Sequence, residues 1–308
     1  PEESCFGVQL ADRNPPQLAE AAQIAVERGA EFIDLNLGCP SELFCRRGLG
    51  AALLRKPGKV GTLVASMREA VEVPVTIKMR LGYDDEKPRF MEVARAAIEN
   101  GVDAITLHGR SRSQRYRRAA DWSRVAELVE AVEVPVIGNG DILNWQDAVH
   151  RRKETGCAGL MVARGALIKP WIFREIEERQ DYLLAPEDRL DILRRYRSLA
   201  LAHFRDDERG RRNVRGFIDW HLDFLARYRP TPSAAPDPEN HPLIQTRDQE
   251  LDLPDTPEGW VQSSDREAHG RLADWLVDEI DRDPGSREKW DATPASAILD
   301  RLTGASIV

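Results

Sequence analysis

In LNLGCP (35–40) a cysteine stands between a glycine and a proline, just past a run of alternating apolar residues. Free thiols usually sit in cores as small hydrophobes, but a thiol at the tip of a strand and open to solvent can give up a proton near neutral pH, its proton affinity being set by its surroundings. Cys39 is therefore a candidate acid. Lys78 in PVTIKM, His108 in AITLHG, Asn139 in PVIGNG and Arg164 in GLMVAR stand in similar places, each at or just past the end of its own apolar run. Singly, each reads as a structural or solvated residue. Five in succession place polar chemistry along one edge of one sheet. The turns GNGD (138–141) and ARGA (163–166) add glycine-bearing backbone whose N–H groups suit an anion.

The elements that must position these residues alternate. Six runs rich in β-branched and apolar residues, at 5–10, 32–37, 74–79, 104–109, 135–140 and 159–164, predict strands. Between them, stretches such as PQLAEAAQIAVERGA and RFMEVARAAIENGV predict amphipathic helices, each closing near a glycine. Such alternation implies parallel strands with crossover helices, in an open doubly wound sheet or a (β/α)8 barrel. The polar residues at the strand ends favour the barrel, whose sites lie on that edge. Barrel phosphate sites lie after strands seven and eight; with GNGD and ARGA there, two βα units are missing from the front. The expectation is an α/β fold: a (β/α)8 TIM barrel lacking its first two βα units, truncated at Pro1, followed by a small all-α domain.

No run of about 18 apolar residues is present to cross a bilayer, and PEESCF lacks the features of a signal peptide. A cytoplasmic location with no membrane partner is expected. Cys5, Cys39, Cys45 and Cys157 form no CxxC pair, so neither a zinc site nor structural disulfides are expected. The net charge of -8 is unevenly spread: residues 230–308 hold 7 Lys/Arg against 17 Asp/Glu, leaving 37 against 35 before them. The acidity belongs to the tail. Two segments of the body are basic: RSRSQRYRRAADWSR (110–124), with six arginines and one acid, and 179–229, with 12 Lys/Arg against 9 Asp/Glu and two expected amphipathic helices. The first is a solvated face or a phosphate-contacting surface, and the second is such a surface or a helical cap that only packs on the barrel. The proline-rich PTPSAAPDPENHP predicts a linker, with short helices possible at GRLADWLVDEI and SAILDRL. Three divisions follow: 1–178, a partial barrel; 179–229, helical; 230–308, linker and acidic extension.

LNLGCP with GLGAALL, TIKMRLG, TLHGRSRSQRY with ADW, IGNGDI, and MVARGAL with KPWIF resemble the tRNA-dihydrouridine synthase family in order and approximate spacing, over residues 5–178. HGRSRSQRY with ADW, and NGD, most resemble the subgroup that modifies the variable-loop uridine of tRNA. The resemblance implies an FMN enzyme that reduces the C5–C6 bond of a uridine in tRNA, with NADPH or NADH as reductant. It makes Cys39 the proton donor, sets Gln9 against the flavin ring and Lys78 at its N1 and O2 edge, and puts His108 near the flavin phosphate. It assigns Asn139, Gly140, Asp141, Ala163 and Arg164 to the phosphate loops. Asn36 would hold the flipped uracil, and Arg110, Arg112 and Arg115 would meet the tRNA. Cys45 and Cys157 have no matching role and are expected to be structural. The helical segment resembles the small domain with which the family grips tRNA. A monomer is expected. The family's loop along the flavin, after the first strand, has no counterpart here. Two alternatives stand beside this reading: a flavin-dependent barrel reductase acting on a free pyrimidine, in the manner of dihydroorotate dehydrogenases, and a non-catalytic RNA-binding protein.

Overall fold

The computed structural model describes residues 5–228 and 253–279. Each predicted run forms a strand: β1 (Gly7–Leu10), β2 (Phe32–Leu37), β3 (Val75–Arg80), β4 (Ala104–His108), β5 (Val136–Asn139) and β6 (Gly159–Met161); β2 keeps its expected ends, β3 runs one residue further, to Arg80, and the others are shorter. The run expected to reach residue 164 stops at Met161, so Ala163 and Arg164 lie beyond the last strand. All neighbours pair in parallel, in the order β1-β2-β3-β4-β5-β6. Sequential order without reversal distinguishes this sheet from a doubly wound one. Among the described residues the sheet is open.

Helices α1 (Pro15–Glu27), α2 (Glu42–Arg46), α3 (Pro57–Ala70), α4 (Phe90–Ile98), α5 (Ser123–Ala131) and α6 (Trp145–Thr155) lie between the strands, with a 3-10 turn at Gly50–Arg55. Prolines at the first turns of α1 and α3 suit helix starts, where the missing N–H costs nothing. The period-2 alternation of the strands does the sorting. Ile33, Leu35 and Leu37 of β2, Val75, Ile77 and Met79 of β3, and Ile105 and Leu107 of β4 share a core with Leu18 of α1, Leu63 and Met67 of α3, and Phe90 of α4. Each such side chain contributes about 1.5–3 kcal/mol of burial. The other face is left polar. Register then stacks its residues in rungs: Gln9 beside Asp34 beside Thr76; Asn36 beside Lys78 beside Thr106; Arg80 beside His108 beside Asn139.

Beyond β6 come α7 (Arg164–Ile168), α8 (Ile172–Glu178), α9 (Pro186–Phe204) and α10 (Glu208–Leu225). They enclose a second core around Trp171, Leu190, Leu193, Val214, Ile218 and Leu222. Residues expected to form a separate acidic extension join it: Val261, Leu272, Leu276 and Val277, from α11 (Pro257–Trp260), α12 (Arg266–Asp274) and the turn Trp275–Glu279, are fully buried there. Composition misleads because the acids serve as partners, Asp274 and Asp278 for Arg215. PTPSAAPDPENHP and SAILDRL lie outside the described residues. The second core also includes Leu143 and Ile168, and His221 of α10 hydrogen-bonds through Nε2 to the Leu167 carbonyl at 2.9 Å. The helical unit thus rests on the segment that follows β6.

Candidate functional site

A cavity of about 310 Å³ opens at the C-terminal ends of the strands, a size that suits a small-molecule ligand. Ten of the sequence-predicted residues line it: Gln9, Asn36, Cys39, Lys78, His108, Asn139, Gly140, Asp141, Ala163 and Arg164. They come from all six strands or the loops just after them, which is why neither periodicity nor local propensity alone locates the site.

Cys39 is half-buried on the loop after β2, and two features fix its turn. Asn36 Oδ1 accepts hydrogen bonds from the Gly38 and Cys39 N–H groups at 3.1 and 3.0 Å. The 3-10 turn presses against the same loop at Gly50, where an added Cβ would meet the Cys39 Cβ and carbonyl oxygen at 2.9 Å. Of the two cysteines expected to be structural, Cys157 is buried, while Cys45 is half-buried and donates its thiol to the Cys39 carbonyl at 3.8 Å.

Lys78 lies two residues before the end of β3, half-buried, and donates to Asn139 Oδ1 at 3.2 Å. Burial first, then the neighbouring Arg80, lowers its pKa to about 8, and Asp34 opposes the shift. Asn139 in turn donates to the Met161 carbonyl at 2.7 Å, tying β5 to β6. His108 is buried, and desolvation, reinforced by Arg80, Lys78, Arg110 and Arg164, pushes its pKa well below the usual histidine value. The shift favours the neutral imidazole.

The turn after β5 is held from one side. Gly140 has φ +136°, and a Cβ there would strike the Ala120 Cβ at 2.5 Å and the His108 ring at 3.2 Å. Asp141 follows, also with positive φ. Its carboxylate receives Arg110 Nη1 at 2.8 Å, Arg164 at 3.2 Å and the Ala120 N–H at 2.8 Å. This corrects one expectation. Arg110 is 2% exposed and anchors Asp141 from beneath, so it does not face a macromolecular substrate. Asp141 spends its side chain on arginines, leaving only backbone to serve an anion. Asn36 is likewise largely committed, with Oδ1 on the turn and Nδ2 donating to Gln9. Arg112 is half-buried with its guanidinium over the Tyr83 ring at 4.8 Å, whereas Arg115, Arg117 and Arg118 are exposed.

Sequence reasoning missed Asp34, Arg80 and Tyr116. Arg80, buried, lines the cavity and donates to the carbonyls of Gly38 and Ser111, both at 2.9 Å. Its signal was available, since it stands two residues after Lys78 and must share its face. Tyr116 lines the cavity with the Arg164 guanidinium 4.0 Å above its ring. Three cations, Lys78, Arg80 and Arg164, therefore line the cleft against one carboxylate that is already paired. Such a cleft favours an anionic ligand. Gly140 and Asp141 of the turn after β5, and Ala163, Arg164 and Gly165 at the start of α7, line it as well, and backbone N–H groups of such turns suit an anion. Among the described residues no cluster of metal-ligating side chains occurs, and no helix is long and apolar enough to cross a membrane.

A family model described as dihydrouridine synthase matches residues 1–218. The chain is 39% identical to the tRNA-dihydrouridine(47) synthase, NAD(P)(+), of Malassezia globosa, with 74% of this chain and 33% of that protein covered. It is 40% identical to the human protein named tRNA-dihydrouridine(47) synthase, NAD(P)(+)-like, with 74% and 35% covered. The chain thus spans about a third of the length of these relatives. Among solved structures, similarity to a nitroalkane oxidase from Streptomyces ansochromogenes is slight, with a TM-score of 0.32 and 15% identity over 53% of this chain and 51% of that one.

Proposed function

Because this chain belongs to the dihydrouridine synthase family, we propose that it carries the reaction centre of an FMN-dependent enzyme that reduces a uridine of tRNA, at the position 47 given in the names of its relatives, to 5,6-dihydrouridine. The observation that carries this is the convergence of Gln9, Lys78, His108, Asn139, Gly140, Ala163 and Arg164 with the Cys39 thiol on one cation-lined cleft. FMN, when bound, supplies the hydride for C6 of the base, and NADPH or NADH restores it. Arg164 and the backbone at 140–141 and 163–165 would hold its phosphate, and Lys78 and Gln9 its ring. Lys78 suits that role, because with its pKa at about 8 an arriving anion returns it fully to the charged form.

Cys39 delivers the proton to C5 from the opposite face and, half-buried, is reprotonated from solvent. The exposed Arg115, Arg117 and Arg118 on the loop after β4 offer phosphate contacts beside the cleft, and the helical unit from residue 179 onward, including 253–279, serves as the tRNA-gripping domain. The six strands are taken as part of a (β/α)8 barrel short of two βα units, a reading supported by their sequential order.

Cys39→Ala tests the proposal. The variant is expected to bind FMN as the parent chain does, while single-turnover formation of dihydrouridine in tRNA, read by nucleoside mass spectrometry, slows by about 10² to 10⁴. Unchanged turnover refutes the assignment. Activity on free uracil would instead favour the free-pyrimidine alternative.

A further inference from the structure

Asp34 sits in the middle of β2, buried on the polar face of the sheet between Gln9 and Thr76. A buried carboxylate is tolerated in a strand only when its oxygens are engaged. Oδ1 accepts from the Thr76 hydroxyl and Oδ2 from Gln9 Nε2, both at 2.7 Å. Gln9 Oε1 accepts from Asn36 Nδ2 at 2.7 Å, and Asn36 Oδ1 accepts from the Gly38 and Cys39 N–H groups. The chain of bonds has only one possible direction. The peptide N–H groups at its far end can only donate, so Asn36 must meet them with Oδ1 and meet Gln9 with Nδ2, and Gln9 must in turn meet Asp34 with Nε2; each of the two amides is confined to one of its two orientations.

We propose that Asp34 is a positioning residue for Cys39: it sets the amide of Gln9, through it that of Asn36, and so holds the Gly38–Cys39 turn with its thiol on the cleft. From the other side Arg80 holds the Gly38 carbonyl at 2.9 Å, so the turn is clamped at both its N–H and its C=O groups. The functional weight of this clamp rests on Cys39 being the proton donor, as proposed above; its geometry does not.

The test reads the turn without reading catalysis. Alkylation of the full chain by iodoacetamide at fixed neutral pH is followed thiol by thiol by peptide mass, with buried Cys157 reporting the fold and exposed Cys5 the reagent. Gln9→Ala and Asp34→Ala are each expected to speed alkylation of Cys39 roughly 3- to 10-fold, the opening that follows from losing one hydrogen bond. The double variant should gain no more than either single one, because both cut the same chain. Asp34→Asn should stay near the parent rate, since its oxygen still accepts from Gln9 while its amide donates to Thr76. Parent-like rates in both alanine variants with Cys157 still protected, or additive effects in the double variant, overturn the proposal. If Asp34→Ala exposes Cys157, Gln9→Ala alone decides, Gln9 being exposed at the edge of the sheet. A failed Cys39→Ala experiment would remove the proton donor and leave this result standing.

Discussion

Replacing Lys78 by methionine is expected to stabilise the ligand-free chain at neutral pH. The lysine's pKa falls from 10.5 to about 8 on folding, burial being the main cause. A drop of that size is worth about 3 kcal/mol, less about 1 kcal/mol for the hydrogen bond to Asn139 that the variant forgoes. The sign follows from proton linkage. Below pH 8 the lysine is charged in both states, and the folded chain bears the full cost of desolvating it. Between pH 8 and 10.5 the folded state has released the proton and the unfolded state has not, so parent stability rises with pH; above 10.5 the penalty is gone. Methionine has no such dependence. Urea unfolding of both proteins from neutral pH to about 10.5 should show the variant ahead by about 2 kcal/mol at the acid end, with the gap closing and reversing slightly across that window. Adding FMN should shrink the gap at neutral pH, because an anion offsets the cost of the charge. A pH-independent difference, or a variant less stable than the parent at neutral pH, refutes the reasoning.

Replacing Arg115, Arg117 and Arg118 together by alanine should weaken tRNA binding and lower its log–log salt slope by about 2 to 3, at roughly 0.7 to 0.9 per phosphate contact; a titration at several salt concentrations with an unchanged slope would remove this loop from the RNA surface. Leu276→Ala should cost about 2–5 kcal/mol, since Leu276 is fully buried in the second core. In hydrogen exchange that loss should appear across α9 and α10, and a change confined to residues 266–279 would show that α12 is only an attachment.

The strands and most of the cleft were legible because their signals are local. FIDLNL alternates within six residues, and Lys78, His108 and Asn139 announce themselves by standing where such runs end. Asp34 was not legible: its partners Gln9 and Thr76 are 25 and 42 residues away, and only strand register brings them together. Arg110 was misplaced because a basic run looks solvated throughout, while this one folds its first guanidinium inward onto Asp141, 31 residues on. The helix over Arg266–Asp274 was legible in GRLADWLVDEI, but its place in the second core was not, for the converse reason. Acids that look like solvated surface can be counterions for arginines on the next helix, as Asp274 is for Arg215.

The sequential order of the strands bears on how the molecule is built during synthesis. Each strand's neighbours in the sheet are its neighbours in the chain, so every βα unit can add to a template already formed, with loop-closure costs kept short. Apolar zipping can run ahead in this way, but the cleft needs Gln9 from the first strand and Arg164 from beyond the last. Lys78 and Arg80 share one face of β3 from the moment that strand forms, but Arg164 joins them only when the sheet is nearly complete. The third positive charge is therefore added late, to an assembly whose hydrophobic core can already bear its repulsion.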